Sequence, residues 1–310
     1  MCDIDIYYIV SGRSLGKGAN MPSFYLHERT ALMALPDVSE RAELALGALG
    51  PDVLYFNMSS RALGKRLHGE RTGEFLLTLM RECASSAAGR AYALGFVSHY
   101  AADAVFHPFV YALSMTGQGY SALRHMAAER ALDAWLKNLS HAPRMGAPEA
   151  GVLDETAEIL WRALERWLPG AAQQGVVRQA LKRSTSGALD WRGLPTSVRV
   201  DCESGQQQLT PECMQAFALR GWRDLWTGAL SCDGPFELLG EALRRTSALA
   251  EAACAFWRGE LGEVQLLELL GGRSYLTGRD WRSTRAPEPH ELNRLRRWRR
   301  ALTGRAKARK

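Results

Sequence analysis

The chain has 310 residues, of which 46% are hydrophobic and 23% are charged. This ordinary globular composition suffices for one large domain or two smaller ones, and it excludes a disordered chain, a collagen-like fibre and a minimal disulfide scaffold. The net charge of +6 is local, because residues 282–310 carry 11 basic and 2 acidic side chains, whereas the remainder carries 28 basic and 31 acidic ones. A mildly acidic body therefore precedes a basic tail.

The six cysteines include no Cys-x-x-Cys pair, so the sequence contains neither a thiolate zinc motif nor a redox motif. No secretory signal is visible, because Asp3 and Asp5 stand where a signal peptide has basic residues. The longest apolar stretch, residues 91–113, is interrupted by two histidines and an aspartate, which a membrane span rarely carries. We expect a soluble, cytoplasmic protein.

The first twenty residues differ from the rest, because residues 11–20 are rich in glycine and lack apolar periodicity. Met21 follows directly and is one candidate for the native start, in which case residues 1–20 are an artefact of the assigned start codon. The alternative is that they form a short disordered arm.

From Met21 onwards, apolar periodicity predicts helices nearly throughout the chain, and no convincing series of strands is present. Pro108 is expected to end or kink the helix that precedes it. The first half is predicted to contain helices at residues 26–35, 39–47, 74–88, 91–107 and 119–139. The second half is predicted to contain a linker at 141–151, helices at 154–168, 176–182, 213–230, 236–258 and 262–270, a polar loop at 184–211 with a short strand at 197–200, and a basic amphipathic helix at 288–302.

The chemistry in this sequence is concentrated on the helix that begins at residue 91. His99, Asp103 and His107 follow one another at intervals of four residues, so all three side chains project from one face on successive turns. The rest of that helix is apolar, and burying these groups without partners would cost several kcal/mol. A bound cation is the natural compensation.

The next predicted helix repeats the pattern, with His125 and Glu129 also four residues apart. Imidazole and carboxylate ligands without thiolate suit zinc in a hydrolytic site. Either pair alone is more typical of a surface salt bridge. Two such sets on consecutive, otherwise apolar helices favour a metal centre.

Together with the segments Met21-Pro-Ser-Phe-Tyr-Leu-His27 and Gly50-Pro-Asp52, these motifs resemble the zinc-dependent phospholipase C family in order, residue type and approximate spacing. The resemblance covers residues 21–140. It implies an all-α, multi-helix bundle of the type shared with the single-strand-specific zinc nucleases, and three zinc ions in a cleft. It also implies cleavage of phospholipids on the glycerol side of the phosphate, which releases diacylglycerol and a phosphorylated headgroup.

The resemblance further implies a role for each ligand. Asp52, His68, His99 and Asp103 would bind one zinc ion, and His107, His125 and Glu129 a second. His27 would bind a third ion, with Asp103 bridging the first and third. In the family the amino terminus completes the third site, and this chain departs from the pattern at its start, so we expect two or three ions. Zinc lowers the pKa of bound water towards about 7 and so generates hydroxide, and Asp52 is the expected general base as well as a ligand.

On this basis we divide the chain into four parts: an N-terminal extension (1–20), a zinc-binding catalytic helical region (21–140), a C-terminal helical region (152–281) and a basic tail (282–310). The C-terminal region contains no motif that we could assign to a function. Its tryptophans are more typical of core packing than of a cofactor site.

Two alternative functions remain open at this stage. The zinc nucleases close their second site with His-x-x-x-Asp, so His125-x-x-x-Glu129 favours the phospholipase weakly. Aromatic residues near the motifs would suit either base stacking or a choline-like headgroup; they are Tyr25, Tyr55, Phe56 and Tyr120. The second alternative is a metal-stabilised helical protein of the same family that has lost turnover.

The tail combines nine basic residues between Arg294 and Lys310 with one aromatic residue, Trp298. The simplest interpretation is a solvated basic end. The functional interpretation is a segment that docks the enzyme on anionic lipid, which attracts such clusters by about 1 kcal/mol per basic residue. Nucleic acid would attract the same charges, so charge alone does not identify the partner.

Overall fold

The computed structural model describes residues 24–116, 119–143, 145, 148–185, 199–201, 206–208 and 210–282, and of 122, 123, 199–201 and 206–208 it describes the backbone alone. The described part is an all-α bundle, as predicted. Its helices are α1 (Phe24–Ala34), α2 (Arg41–Gly47), a 3-10 helix (Gly50–Phe56), α3 (Arg61–Gly69), α4 (Thr72–Glu82), α5 (Ala87–Ser114), α6 (Ala122–Ser140), α7 (Ala150–Trp167), α8 (Gln174–Thr185), α9 (Pro211–Leu219), α10 (Pro235–Trp257) and α11 (Glu263–Leu270).

Helix α5 lies at the centre of the bundle because its apolar residues surround the helix axis rather than forming one stripe. The side chain of Ser86 caps its start by accepting a hydrogen bond from the backbone of Gly89. Helices α1, α2, α6 and α10 pack around it. Two apolar clusters result, one around the first half of α5 and one around its second half.

Two glycines allow α2 to approach α5 at backbone distance. A Cβ atom on Gly47 would lie 2.0 Å from the carbonyl oxygen of Tyr92, and one on Gly95 would lie 2.1 Å from that of Leu44. Side chains at either position would force the helices apart. This crossing brings the end of α2 next to the polar face of α5.

Helix α5 does not end at Pro108, as one of the two expectations held, but continues to Ser114. Proline cannot donate a hydrogen bond to the carbonyl oxygen of Ala104 one turn earlier. Gly278 passes beside that oxygen, since a Cβ atom there would lie only 2.2 Å from it. The last turns of α5 are retained because Phe109, Val110 and Leu113 are buried in the second apolar cluster.

Strands are confined to three short antiparallel pairs in the described residues: β1 (Met115–Thr116) with β2 (Gly119–Tyr120), β3 (Arg199–Asp201) with β4 (Gln206–Gln208), and β5 (Trp222–Arg223) with β6 (Leu230–Ser231). The predicted helix at 213–230 is therefore wrong beyond Leu219. Gly221 and Gly228 adopt positive φ angles of 79° and 72°, and Asp224 accepts hydrogen bonds from the backbone of Trp226 and Thr227. These features form a hairpin instead of a helix.

The loop after α11, residues 271–282, crosses α5 at Gly278 and contacts several earlier helices. The backbone N–H of Tyr275 donates to the carbonyl of His68 (2.8 Å), and Thr72 donates its hydroxyl to the carbonyl of Arg273. Tyr100 donates its hydroxyl to the carbonyl of Leu270. The C-terminal part of the described chain is thereby attached to the helices that carry the predicted ligands.

Some predictions lie outside the described residues: the extension 1–20, the segment before Phe24, and the basic helix and tail beyond Arg282. The division into four parts stays a prediction. Among the described helices, none is long and apolar enough to cross a membrane.

Candidate metal centre

All eight predicted site residues lie in one cluster, although they come from five different helices. His27 is on α1, Asp52 on the 3-10 helix and His68 in the last turn of α3. Helix α5 contributes His99, Asp103 and His107 from successive turns, and α6 contributes His125 and Glu129.

Asp103 occupies the middle of this cluster. Its Oδ1 atom lies 3.2 Å from Nε2 of His27 and 3.6 Å from Nδ1 of His107. Its Oδ2 atom lies 3.1 Å from Nε2 of His99 and 3.8 Å from Nε2 of His68. One carboxylate therefore faces ligands from three helices, as a bridging ligand would.

The ligand atoms form three overlapping or adjacent groups, each within 4.8 Å. They are His27 with Asp52 and His99, His68 with His99 and Asp103, and His107 with His125 and Glu129. The first two groups share His99, so His27 is continuous with the ligands assigned to the first zinc ion. The third group is more open, since the His125 and Glu129 side chains are 14% and 15% exposed.

Backbone carbonyls fix the orientation of three of the imidazoles. Nδ1 of His99 donates to the carbonyl of Ala48 (3.0 Å), and Nδ1 of His68 donates to that of Gly64 (2.7 Å). Nδ1 of His107 donates to the carbonyl of Tyr275 (2.9 Å). A carbonyl can only accept, so in the neutral imidazole the proton is on Nδ1 and the lone pair is on Nε2. Such acceptors orient metal-binding histidines.

These lone pairs point at carboxylate oxygens, which is unfavourable without a positive charge between them. Nε2 of His68 lies 3.1 Å from Oδ1 of Asp52, and Nε2 of His107 lies 3.5 Å from Oε1 of Glu129. Within the described residues, four buried atoms of the cluster have no hydrogen-bond partner: Nδ1 of His27, Nε2 of His99, Oδ2 of Asp103 and Nδ1 of His125. The residues present therefore fit a divalent cation, and their imidazole and carboxylate atoms are ligands that zinc accepts.

The pKa shifts show the charge distribution of the metal-free chain. Burial alone would raise the pKa of Asp103, but His107, His99 and His27 hold it well below its usual value. Burial opposes the charge of His107, yet Asp103 and Glu129 raise its pKa to about 9. Burial also opposes the charge of Glu129, whose pKa is lowered to about 2 by the neighbouring histidines. In the metal-free chain, a proton on His107 therefore supplies part of the positive charge that a cation would bring.

Gly50 explains how the 3-10 helix comes to lie against α5. Its φ angle is 55°, and a Cβ atom there would lie 2.3 Å from the His99 ring. Only glycine combines that backbone conformation with so close an approach. Asp52, two residues later, is thereby brought beside the ligands of α5.

The start of α1 is fixed by a carboxylate on α6. Asp133 is buried and accepts hydrogen bonds from the backbone N–H groups of Tyr25 and Leu26, at 3.3 and 2.8 Å. A negative charge at a helix N-terminus is favourable, and these N–H groups have no acceptor within the helix. His27 lies in the same turn, and its ring stacks on that of His99 at 4.1 Å.

Of the four aromatic residues noted in the sequence, two lie beside the cluster. Tyr55 stacks on His68 (5.5 Å), and Tyr120 lies 6.0 Å from His125. Phe56 packs on Phe24 (5.6 Å) instead. Tyr25 donates its hydroxyl to the carbonyl of Ala142 and so serves the fold.

The sequence analysis missed aromatic residues on both sides of the cluster. At the open end, the Tyr111 ring lies 4.8 Å from His125 and 5.2 Å from Trp226. At the closed end, the Tyr275 ring lies 5.3 Å from His68. Burial raises the pKa of Tyr275 well above its usual value, and Tyr100 and the carboxylates of Asp103 and Asp52 add to this shift. Trp226 and Tyr275 are remote from every motif, so no spacing could have indicated them.

The fold and the cluster define the class: an all-helical protein with a candidate metal centre rich in histidine and carboxylate side chains. A family model described as zinc-dependent phospholipase C matches residues 23–179, just over half of the 310-residue chain. The chain therefore belongs to the zinc-dependent phospholipase C family. No curated protein and no solved structure matches it. The matched segment includes all eight predicted ligands, whereas Trp226 and Tyr275 lie outside it.

Proposed function

We propose that this protein hydrolyses a phospholipid at the phosphodiester bond on the glycerol side, with two or three zinc ions held by the eight clustered residues. Membership of the family supports hydrolysis by a zinc-dependent phospholipase C. The observation that carries the proposal is the convergence of five imidazoles and three carboxylates, several of whose ligand atoms are buried without a partner. Such an arrangement is unfavourable unless a cation completes it.

The ions would neutralise the phosphate and lower the pKa of water in the site. The chain's own residues orient the reaction. Asp103 separates the closed end of the cluster, at His27 and His99, from the more open end at His125 and Glu129. A phosphodiester would enter from the open end, where these side chains retain exposure to solvent.

Asp52 is the proposed general base. Its carboxylate accepts the proton of the attacking water, whose oxygen bonds to phosphorus while the bond from phosphorus to the glycerol oxygen breaks. The glycerol oxygen leaves with a proton from solvent, so the products are diacylglycerol and a phosphorylated headgroup. Nε2 of His68 lies 3.1 Å from Oδ1 of Asp52, and a zinc ion bound to both atoms would hold the carboxylate in place.

The test measures zinc content and hydrolysis together on the purified full chain. Zinc is quantified by inductively coupled plasma mass spectrometry, and release of diacylglycerol from phosphatidylcholine vesicles is compared with cleavage of a single-stranded oligonucleotide. We expect bound zinc and lipid hydrolysis; His99→Ala should abolish the hydrolysis and lower the zinc content, because His99 is a predicted ligand of the first ion and the ligands predicted for the second ion are unchanged. His141→Asn is the matched control, because His141 is exposed at the end of α6 with φ 50°, a conformation that asparagine tolerates.

Each other outcome contradicts one part of the proposal. Cleavage of the oligonucleotide but not of the lipid would make the protein a nuclease of related fold. Bound zinc without turnover of either substrate would make it a metal-stabilised protein. Full activity in the His99→Ala variant, after its remaining zinc has been removed with a chelator, would remove the metal centre from the mechanism.

A further inference from the structure

Tyr275 carries a polar group that the fold does not use. Its side chain is fully buried, and within the described part of the chain its hydroxyl has no hydrogen-bond partner. A buried phenol hydroxyl without an acceptor destabilises a fold, so such groups are rare and call for an explanation. None of the described residues around Tyr275 supplies one.

The position of the ring indicates what the missing acceptor is. The Tyr275 ring meets that of His68 edge to face at 5.3 Å and lies 5.8 Å from that of His99. The carboxylates of Asp103 and Asp52 are close enough to act electrostatically on its hydroxyl. Two further atoms of the same cluster, Nε2 of His99 and Oδ2 of Asp103, also lack a hydrogen-bond partner.

The Tyr275 hydroxyl needs a different partner from the other two atoms, Nε2 of His99 and Oδ2 of Asp103. A cation satisfies Nε2 of His99 and Oδ2 of Asp103, but it does not satisfy a phenol O–H, which must donate to an acceptor. A phosphate group brought to the cations would supply anionic oxygens beside that donor. Hydrogen bonds to charged oxygens are the stronger ones.

The backbone of Tyr275 is held from two sides, which makes it a fixed element of the cluster. Its N–H donates to the carbonyl of His68 (2.8 Å), and its carbonyl accepts from Nδ1 of His107 (2.9 Å). The side chain is therefore placed by the same residues that would bind the metal.

We propose that Tyr275 is a substrate-binding residue, whose hydroxyl donates a hydrogen bond to a phosphate oxygen of the phosphodiester held in the cluster. This proposal rests on the proposed function, and it adds a residue from the part of the chain that the family model does not match. The interaction is made with substrate and not within the free protein.

The test compares Tyr275→Phe with the unaltered full chain, both reconstituted with zinc, using inorganic phosphate as the probe. We expect the dissociation constant for phosphate, measured by isothermal titration calorimetry, to rise about 10- to 100-fold, because a hydrogen bond to a charged group is lost. The kcat/KM for phosphatidylcholine falls by a similar factor. Zinc content stays the same, and the melting temperature of the metal-free variant stays the same or rises, because an unsatisfied group is removed.

Tyr100→Phe is the matched control for a structural hydroxyl. The Tyr100 hydroxyl donates to the carbonyl of Leu270 (2.8 Å) and accepts from the backbone N–H of Arg273 (3.1 Å). Its removal is expected to lower the melting temperature of the metal-free protein. Tyr275→Phe should differ from it, with stability and zinc content kept and phosphate binding weakened.

Unchanged phosphate affinity and unchanged kcat/KM in Tyr275→Phe would overturn the proposal, and so would a lowered melting temperature with phosphate binding intact. Failure of the zinc-loaded wild-type chain to bind phosphate would overturn it as well. A wild-type chain that binds phosphate through Tyr275 but does not cleave phosphatidylcholine would contradict the lipid substrate alone. The two proposals therefore fail in distinguishable ways.

Discussion

The matched segment, residues 23–179, and the C-terminal part of the described chain, residues 210–282, contribute different things to the site. The first supplies every predicted ligand. The second supplies a backbone carbonyl that orients His107, a backbone N–H that binds the carbonyl of His68, and two aromatic residues beside the cluster. Candidate ligand side chains can be recognised in a sequence by residue type and spacing. The backbone groups that orient them cannot, because every residue has a carbonyl.

The largest expected effect comes from Asp103, which lies in the matched segment. Its carboxylate faces predicted ligands on α1, α3 and α5. Asp103→Asn removes a charge that faces four histidines, and we expect kcat/KM to fall at least about 100-fold, equivalent to about 3 kcal/mol. His27→Ala should be milder, because the predicted assignment gives His27 to the third ion, whereas Asp103 bridges two ions in it. Equal residual activity in the two variants, assayed with excess zinc, would contradict this division of roles.

The second prediction concerns a residue of the matched segment that is not itself a predicted ligand. Gly50→Ala would place a methyl group 2.3 Å from the His99 ring, so we expect zinc affinity to fall about 10- to 100-fold. Gly170→Ala is the control, because Gly170 also has a positive φ (75°) but a Cβ atom there would have no neighbour within 4 Å. Similar zinc affinity in the two variants, measured by competition with a chelator, would show that the close approach is unimportant.

The third prediction applies the same comparison to the C-terminal part. Gly278→Ala would place a methyl group 2.2 Å from the carbonyl oxygen of Ala104 and push residues 271–282 away from α5. We expect zinc affinity to fall about 10-fold through the lost acceptor of His107. Gly259→Ala is the control, because Gly259 also has a positive φ (76°) but a Cβ atom there would have no neighbour within 4 Å. This variant therefore introduces the backbone strain without the close contact. If both variants bind zinc equally well, the loop does not support the metal centre.

The smallest expected effect is a pH dependence at His107, where the two parts meet. The pKa of His107 is raised from 6.5 to about 9 in the folded metal-free chain, so its contribution is complete below pH 6.5 and is lost as the pH rises through about 9. We expect the free energy of unfolding of the metal-free protein to fall by on the order of 1–2 kcal/mol over this range. Urea titrations at several pH values measure it, and His107→Gln should flatten the dependence; a flat profile in the unaltered protein would contradict the assignment.

Much of the fold was predictable because one physical pattern dominates it. The apolar surround of α5 and the four-residue spacing of its polar groups required a buried helix with a polar face, and the structure has that helix. The same reasoning failed at 220–230, where apolar residues are spaced as in a helix but Gly221 and Gly228 adopt left-handed conformations. The spacing of apolar residues indicates which side chains are buried. It does not indicate the backbone conformation of a glycine, which depends on the tertiary context.

The site was predictable only as far as its ligands. His68 was identified by its order in the chain, and its place in the cluster depends on the last turn of α3 and on the acceptor at Gly64. Several helices that contain no predicted ligand separate Tyr275 from Glu129, the last predicted ligand in the chain. Only the folded structure shows that Tyr275 lies beside the cluster. The assignment of each ligand to a particular ion stays a prediction.

The double role of His68 and His107 has a consequence for how the protein acquires its metal. Each histidine offers one ring nitrogen to the cluster while it also makes a hydrogen bond with the backbone of Tyr275, His68 through its carbonyl and His107 through Nδ1. With zinc bound at the cluster as proposed, docking of the loop and binding of zinc are linked equilibria, and linkage is reciprocal. We therefore expect contacts that anchor residues 271–282 to raise the affinity for zinc, and zinc to slow amide hydrogen exchange in a segment that supplies none of the predicted ligands.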